Sequence, residues 1–253
     1  MIYKIQYGTH SLRYLLNNIE TRLTFGQYMS RTDEIEYDVW ASPQEIEDFR
    51  THLTSEFTFE AEETYSENRT LKTITSYALR SFGCLLFHAV SFVYKGRAWH
   101  LTAPSGTGKT TQYMNWQRSF PGEITMISGD TPALECCEDG KVMVYSTPWN
   151  GKENIGNMIS AELEGIVFLS QGDHNELNKN TQADCVGRFM SQIIGLPKTE
   201  EQVLKLAKLT DQILNSAHEW SFVNLGNDAS TAMLREAIQA HMSGKEGNIN
   251  AEV

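Results

Sequence analysis

Residues 103–110 read Ala-Pro-Ser-Gly-Thr-Gly-Lys-Thr, and such a run works in one local arrangement, a strand that stops at the loop and a helix that starts at its lysine. Gly106 and Gly108 lack a Cβ, so the backbone there can turn through positive φ and aim successive N–H groups at one centre. Lys109 adds an ammonium at a helix N-terminus, where amides without intrahelical partners attract anions. Thr110 then offers a hydroxyl to a Mg²⁺ ion bridging the phosphates. Ser105, Gly106, Thr107, Gly108, Lys109, Thr110 and Thr111 are accordingly the expected cradle of a nucleoside triphosphate, with ATP and Mg²⁺ as the expected cofactors. Ala103 replaces the glycine of the strict pattern, at a position that ends the strand and needs only a small side chain.

The flanks supply the required order. Ala89-Val-Ser-Phe-Val-Tyr94 and Arg97-Ala-Trp-His-Leu-Thr102 read as a hairpin across Lys95-Gly96, and Lys109 to Arg118 contains neither proline nor glycine. A buried strand over 123–128 follows, ending in Gly129-Asp130, then a second hairpin over 133–137 and 141–145. An apolar strand is predicted over 164–169, helices over 178–194 and 200–218, a strand over 220–225 and a last helix over 228–241. Before the first hairpin, short alternating runs at 1–7, 34–40 and 56–62 read as half-buried strands. A helix capped by Ser42 with Pro43 in its first turn and a longer helix over 70–86 complete that part. The expected organisation is a β-rich accessory region over 1–75, a catalytic core with a helical C-terminal part over 76–242 and a tail over 243–253. Hairpins mixed with helices argue for a mixed α/β sheet of α+β character, not a regular βαβ array.

Composition narrows the partners. The 253 residues carry a net charge of −11, and no basic stripe of the kind that binds nucleic acid is visible. No apolar run reaches the length of a membrane span, and the first residues lack the pattern of a signal peptide. The four cysteines form no zinc spacing and no CxxC pair, so a reduced, cytoplasmic setting is expected.

The segment from His88 to Asp130 resembles the kinase core of the HPr kinase/phosphorylase family, which is related to phosphoenolpyruvate carboxykinase. His88 stands fifteen residues before Ala103, as a histidine does in that family, and Asp130 ends the strand after the loop's helix, where the family has its catalytic aspartate. Thr147-Pro-Trp-Asn-Gly-Lys-Glu153 is similar to a loop in the wider set of such proteins, which includes peptide serine kinases. The bacterial HPr kinase has two adjacent acids where this chain has Gly129-Asp130, and its arginine-bearing C-terminal loop has no counterpart here. The resemblance implies a P-loop kinase core, transfer of the γ-phosphate to a hydroxyl, and homo-oligomers.

Phosphoryl transfer needs metal, positive charge over the phosphates and a base beside the acceptor. Asp130 is the expected base, metal ligand, or both, and Lys109 holds the β- and γ-phosphates. His88 can bond a phosphate oxygen or Asp130. Lys152 and Glu153 are candidates for phosphate and metal respectively, so the metal set is Thr110, Asp130 and Glu153. Arg188 is expected at the surface, and Trp116 and Trp149 as core or interface residues. The acceptor is a peptide, protein or small-molecule hydroxyl, most simply a serine. A nucleotide-binding regulatory module and a P-loop NTPase are the alternative readings.

Overall fold

The fold is built on two hairpins whose turns the sequence marks clearly, and on one long central strand that it marks poorly. In the computed structural model, which describes residues 2–56, 63–244 and 251–252, the chain opens with β1 (Ile2–Tyr7), β2 (His10–Leu15), α1 (Ile19–Gly26), β3 (Tyr37–Trp40), α2 (Pro43–Glu56) and α3 (Glu63–Ser81). β1 and β2 pair antiparallel, and β3 joins β2 in parallel to give a separate three-stranded sheet. β2 and α1 had no sequence expectation. The expected strand over 56–62 starts on the last residue of α2 and otherwise lies outside the described residues. Ser42 caps α2 as its sequence predicts: its hydroxyl accepts from the Glu45 amide while the Glu45 carboxylate accepts from the Ser42 amide, a reciprocal capping box.

The second, larger sheet begins with β4 (Cys84–Leu86), β5 (Ala89–Tyr94) and β6 (Arg97–Thr102), then α4 (Lys109–Ser119), β7 (Ile124–Ser128), β8 (Ala133–Cys136) and β9 (Val142–Tyr145). The longer helix expected over 70–86 is thus α3 followed by a strand. Lys95 and Gly96 both take positive φ, 49° and 80°, the geometry of a tight hairpin turn. Beyond them come β10 (Ser160–Gln171), β11 (Glu176–Lys179), α5 (Gln182–Met190), α6 (Glu200–Ser216), β12 (His218–Asn224), α7 (Asp228–Met242) and β13 (Ala251–Glu252). The main path of the sheet is β13-β11-β12-β10-β6-β5-β7, with the β8–β9 ribbon linking β4 to the start of β10. Parallel pairs (β6–β10 and β10–β12) sit beside antiparallel ones (β5–β6 and β5–β7). This is a mixed α/β architecture, as expected.

Two corrections concern the C-terminal half. The helix expected over 178–194 is interrupted: 176–179 is a strand paired between β12 and β13, and the helix starts only at Gln182, behind a Thr181–Asp184 capping box. β10 runs for twelve residues rather than six, because its polar ends alternate while its middle is apolar and covered on both faces. One face carries Ala98, Ile166 and Phe168 against α5 and α6; the other carries Trp99, Leu101, Val167 and Leu169 against α4 and α7. The N-terminal sheet and α3 bury a third cluster around Tyr7, Tyr14, Phe25 and Trp149.

Gly165 shows how tightly β10 and β6 mesh. A Cβ added there would fall inside 3.0 Å of the Trp99 indole, which is fully buried. Overpacking of this kind costs about 1–3 kcal/mol. Gly165→Ala is therefore expected to lower stability by that amount in urea denaturation with an unchanged m-value; wild-type stability would mean that the indole has room to move.

Candidate functional site

Three chain segments end at one edge of the large sheet because β5 runs antiparallel to both of its neighbours. The 103–110 loop leaves the C-terminal end of β6, Asp130 follows the C-terminal end of β7, and His88 precedes the N-terminal end of β5 between them. The Ala89 amide donates to the Asp130 carbonyl at 2.9 Å, and the Thr102 hydroxyl donates to the His88 carbonyl at 2.9 Å. Ligand sites in open α/β sheets favour this kind of edge, outside the carboxyl ends of parallel strands.

Within the loop, Gly106 and Gly108 have φ of 82° and 100°. Neither would meet any atom with an added Cβ, so the demand for glycine there is conformational and not spatial. No side chain caps the start of α4, which leaves the first-turn amides with no partner inside the helix. Lys109 is buried, and its ammonium donates to the Ala103 and Pro104 carbonyls at 2.7 and 3.1 Å, which keeps it over the loop with one donor uncommitted. Ser105, Gly106 and Thr111 are exposed, and Thr107 and Thr110 half-buried. Open amides, a centred ammonium and an accessible hydroxyl in the first turn fit a polyphosphate with its metal ion.

Opposite the loop, Asp130 is the hub of a charged cluster. Its Oδ2 accepts from the Thr131 hydroxyl at 2.6 Å and from the Lys72 ammonium at 3.2 Å, and His88 Nε2 lies 3.5 Å from Oδ1. Burial pushes the Asp130 carboxyl up, but Lys72, the Thr131 hydroxyl and His88 together outweigh it and hold the group below the ordinary aspartate value. Burial lowers Lys72, against the pull of Asp130 and with the help of the nearby Arg69. Burial also dominates at His88, pushed down to about 4 with the Lys109 ammonium adding to the effect and Asp130 opposing it. His88 is consequently neutral near pH 7, and its contact with Asp130 is a polar one and not an ion pair.

Lys72 was missed in the sequence, and with it the contribution of α3. Its signal was the register of that helix: Lys72, Thr75 and Leu79 share the buried stripe, and a lysine placed among core positions usually has a buried partner. The loop over 147–153 was anticipated and closes the site from the other side. The Thr131 amide donates to the Trp149 carbonyl at 3.0 Å, and Ser128 bridges to Gly156. A Cβ on Gly129 would lie 2.7 Å from the Asn150 carbonyl oxygen and 2.9 Å from that of Ile155. Backbone thus fills the place where a second adjacent acid would stand. The same loop brings an acid in from elsewhere: a Cβ on Gly151 would have Asp130 Cβ at 3.2 Å and Glu153 Oε2 at 3.7 Å. Lys152 and Glu153 are exposed on this turn.

Other candidates have structural roles. Trp149 is buried edge-on against Phe25, and Trp116 packs on Phe92 and Tyr94. Arg188, expected at the surface, is half-buried: its guanidinium lies 4.7 Å over the Phe168 ring and donates to Ser221 Oγ at 2.6 Å. Phe168 and Thr102 are partners across β10 and β6, so Arg188 approaches the strand end that carries the loop. No helix among the described residues is long and apolar enough to cross a membrane.

No family model and no curated protein matches the chain. Among solved structures, the HPr(Ser) kinase/phosphatase from Coxiella burnetii is similar over 63% of this chain and 95% of that chain, at 10% identity and a TM-score of 0.31. A likeness that slight decides nothing about function.

The depressed histidines give the fold a pH signature. Unfolded histidine takes its proton near 6.5, whereas His88 holds out to about 4 and the fully buried His100 to about 3. Between those values the unfolded chain binds more protons, so this part of the stability is complete above about pH 6.5 and is lost as pH falls toward 4. His88→Gln is expected to flatten that slope in denaturation curves taken from pH 7 to 4. A slope equal to wild type would return His88 to an ordinary histidine.

Proposed function

We propose that the chain is an ATP- and Mg²⁺-dependent phosphotransferase with a hydroxyl acceptor, built on an HPr-kinase-like P-loop core over 76–242 with residues 1–75 as an accessory region. The observation that carries this reading is the meeting of Lys109, His88 and Asp130 at one sheet edge, with an uncapped helix start on one side and a half-buried carboxylate on the other. The fifteen-residue step from His88 to Ala103 and the placement of Asp130, features shared with the resembled family, support the same reading.

When bound, Mg·ATP supplies the phosphoryl group and the metal charge that neutralises it. The amides of 105–111 and the Lys109 ammonium hold the β- and γ-phosphates, and turning Lys109 away from the Ala103 and Pro104 carbonyls frees its remaining donors for them. Thr110 takes the metal, with Asp130 and Glu153 as its carboxylate ligands. Asp130 receives the proton of the acceptor hydroxyl as that oxygen bonds to phosphorus and the bond to the leaving nucleoside diphosphate breaks. His88, neutral at physiological pH, donates or accepts one hydrogen bond without changing the charge of the site. Lys72 lowers the basicity of Asp130 and keeps it ionised. The acceptor, a serine on a peptide or protein or an equivalent small alcohol, approaches from the side of α3 and the 147–153 loop.

The ion pair of Asp130 with Lys72 also favours a second reading, a regulatory module that binds nucleotide with little turnover, because a carboxylate already paired is a weaker base. The two readings separate in one experiment. Asp130→Asn is expected to bind ATP as the wild type does while transfer of labelled γ-phosphate to serine peptides or water drops by about 10²–10⁴-fold. Wild-type rates in that variant would discard the base, and nucleotide binding without transfer or hydrolysis in the wild type would select the regulatory module.

Lys72→Met gives a further test. Removing the ammonium raises the Asp130 pKa, so the acid limb of the pH–rate profile is expected to move to higher pH. An unmoved limb would show that Asp130 does not titrate in catalysis.

A further inference from the structure

A second cluster of reactive side chains lies where the N-terminal sheet meets the β4–β8 ribbon, outside the loop site. His10 opens β2, Cys84 opens β4 and Glu135 sits in β8, and one ligating atom from each lies within 4.8 Å of the others. Cys84 and Glu135 are cross-strand partners, so their side chains leave the ribbon side by side. His10 Nε2 is 3.6 Å from Glu135 Oε1. Its other ring nitrogen, Nδ1, lies 3.0 and 3.1 Å from the two carboxylate oxygens of Glu36, and the Phe82 ring stacks on the imidazole at 5.1 Å between centroids.

This is the arrangement of a metal-ligating histidine. A carboxylate holds Nδ1–H, which fixes the tautomer and turns the Nε2 lone pair toward the other donors. A second observation concerns the charge of the cluster. Glu135 is 5% exposed, and its Oε1 accepts from the Thr9 hydroxyl and from the Thr9 amide at 3.4 Å. Its Oε2 is buried and makes no close hydrogen bond among the described residues, the Tyr145 phenol being the polar group that also interacts with this carboxylate. An unpaired carboxylate oxygen out of water is costly unless a positive charge accompanies it. Gly8, at φ 64°, brings the β1–β2 turn onto the cluster so closely that a Cβ there would strike the Glu135 carboxylate and the Tyr145 ring.

We propose that His10 Nε2, Cys84 Sγ and the Glu135 carboxylate bind one divalent cation of the zinc class. The donor set decides the class: a thiolate with an imidazole selects a borderline ion over Mg²⁺ or Ca²⁺, which take oxygen ligands. Ligands about 2.0–2.3 Å from a tetrahedral zinc stand roughly 3.3–3.8 Å apart, a separation His10 and Glu135 already have. Thiolate and carboxylate neutralise the ion, the Cys84 proton passing to solvent, and three protein ligands leave a fourth position for water. The ribbon that carries the cluster continues to the proposed active site, through hydrogen bonds from Phe87 to Pro132 and from Ala89 to Asp130. A metal here would fasten the N-terminal turn to the strands that present His88 and Asp130. The proposal stands whether or not the chain is a kinase.

The test uses the full chain, stripped with chelator and titrated with Co²⁺ and then Zn²⁺. Wild type is expected to bind one equivalent of Co²⁺ with a thiolate-to-cobalt charge-transfer band, to lose the band on adding Zn²⁺, and to melt at a higher temperature with Zn²⁺ present. Cys84→Ser is expected to abolish the band, Cys136→Ser and Cys137→Ser to keep it, and Glu36→Gln to keep it while weakening affinity about 10–100-fold. Absence of stoichiometric Co²⁺ binding in wild type would overturn the proposal, leaving His10 as a bridge between two carboxylates. So would a band that survives Cys84→Ser or vanishes in Cys136→Ser or Cys137→Ser. Because the wild-type titration decides alone, a variant that fails to fold does not protect the idea.

Discussion

One hydrogen bond, from the Ala89 amide to the Asp130 carbonyl, fixes the relation on which the candidate site depends. It continues the β5–β7 ladder past the end of β7 and sets the chain before β5 against the chain after β7. With β6 paired on the other side of β5, the loop, the histidine and the aspartate have little freedom to separate. Each is a property of backbone pairing, which is why side chains fifteen to forty residues apart come together with no long-range side-chain recognition to guide them.

Charge is then adjusted by what packs over that edge. Asp130 is half-buried, and the buried ammonium of Lys72 would be unfavourable without company; delivered by α3 from the N-terminal side, it meets Asp130 at 3.2 Å. Thr75, one turn further along that helix, takes part in a buried chain of hydroxyls with Tyr14 and Tyr7. The N-terminal sheet therefore helps to determine where the ammonium stands. Gly129 makes the complementary concession, giving up a side chain so that the 150–155 backbone can come close.

What the sequence revealed follows the range of the interactions involved. The loop, its helix, both hairpins and the Ser42 cap were legible, because glycine conformations, turn residues and capping pairs act within a few residues. The 178–194 region departs from its expected helix: Leu177 is a core residue of a short strand, whereas Cys185 and Phe189 belong to a helix, and apolar spacing in so short a stretch does not distinguish the two periods. In the site, Asp130 and His88 were visible through their spacing from the loop. Lys72 was not, since nothing local says which residue a lysine on a helix will face 58 positions later. The cluster of His10, Cys84 and Glu135 escaped for the same reason: its members come from three segments, and no ligand spacing in the sequence joins them.

The order of strands also bears on how the protein is made. β6 needs β10 on one flank, and Thr102 finds Phe168 only after another 66 residues have been added. At about 5–20 residues per second on a ribosome, that interval lasts roughly 3–13 s. For that time the nascent chain has the β5–β6 hairpin and the glycine-rich 103–110 loop but an unpaired edge bearing Trp99 and Leu101. Such an edge is a natural target for holding factors and a starting point for misassembly. β6 is therefore without its β10 partner until that strand has been translated.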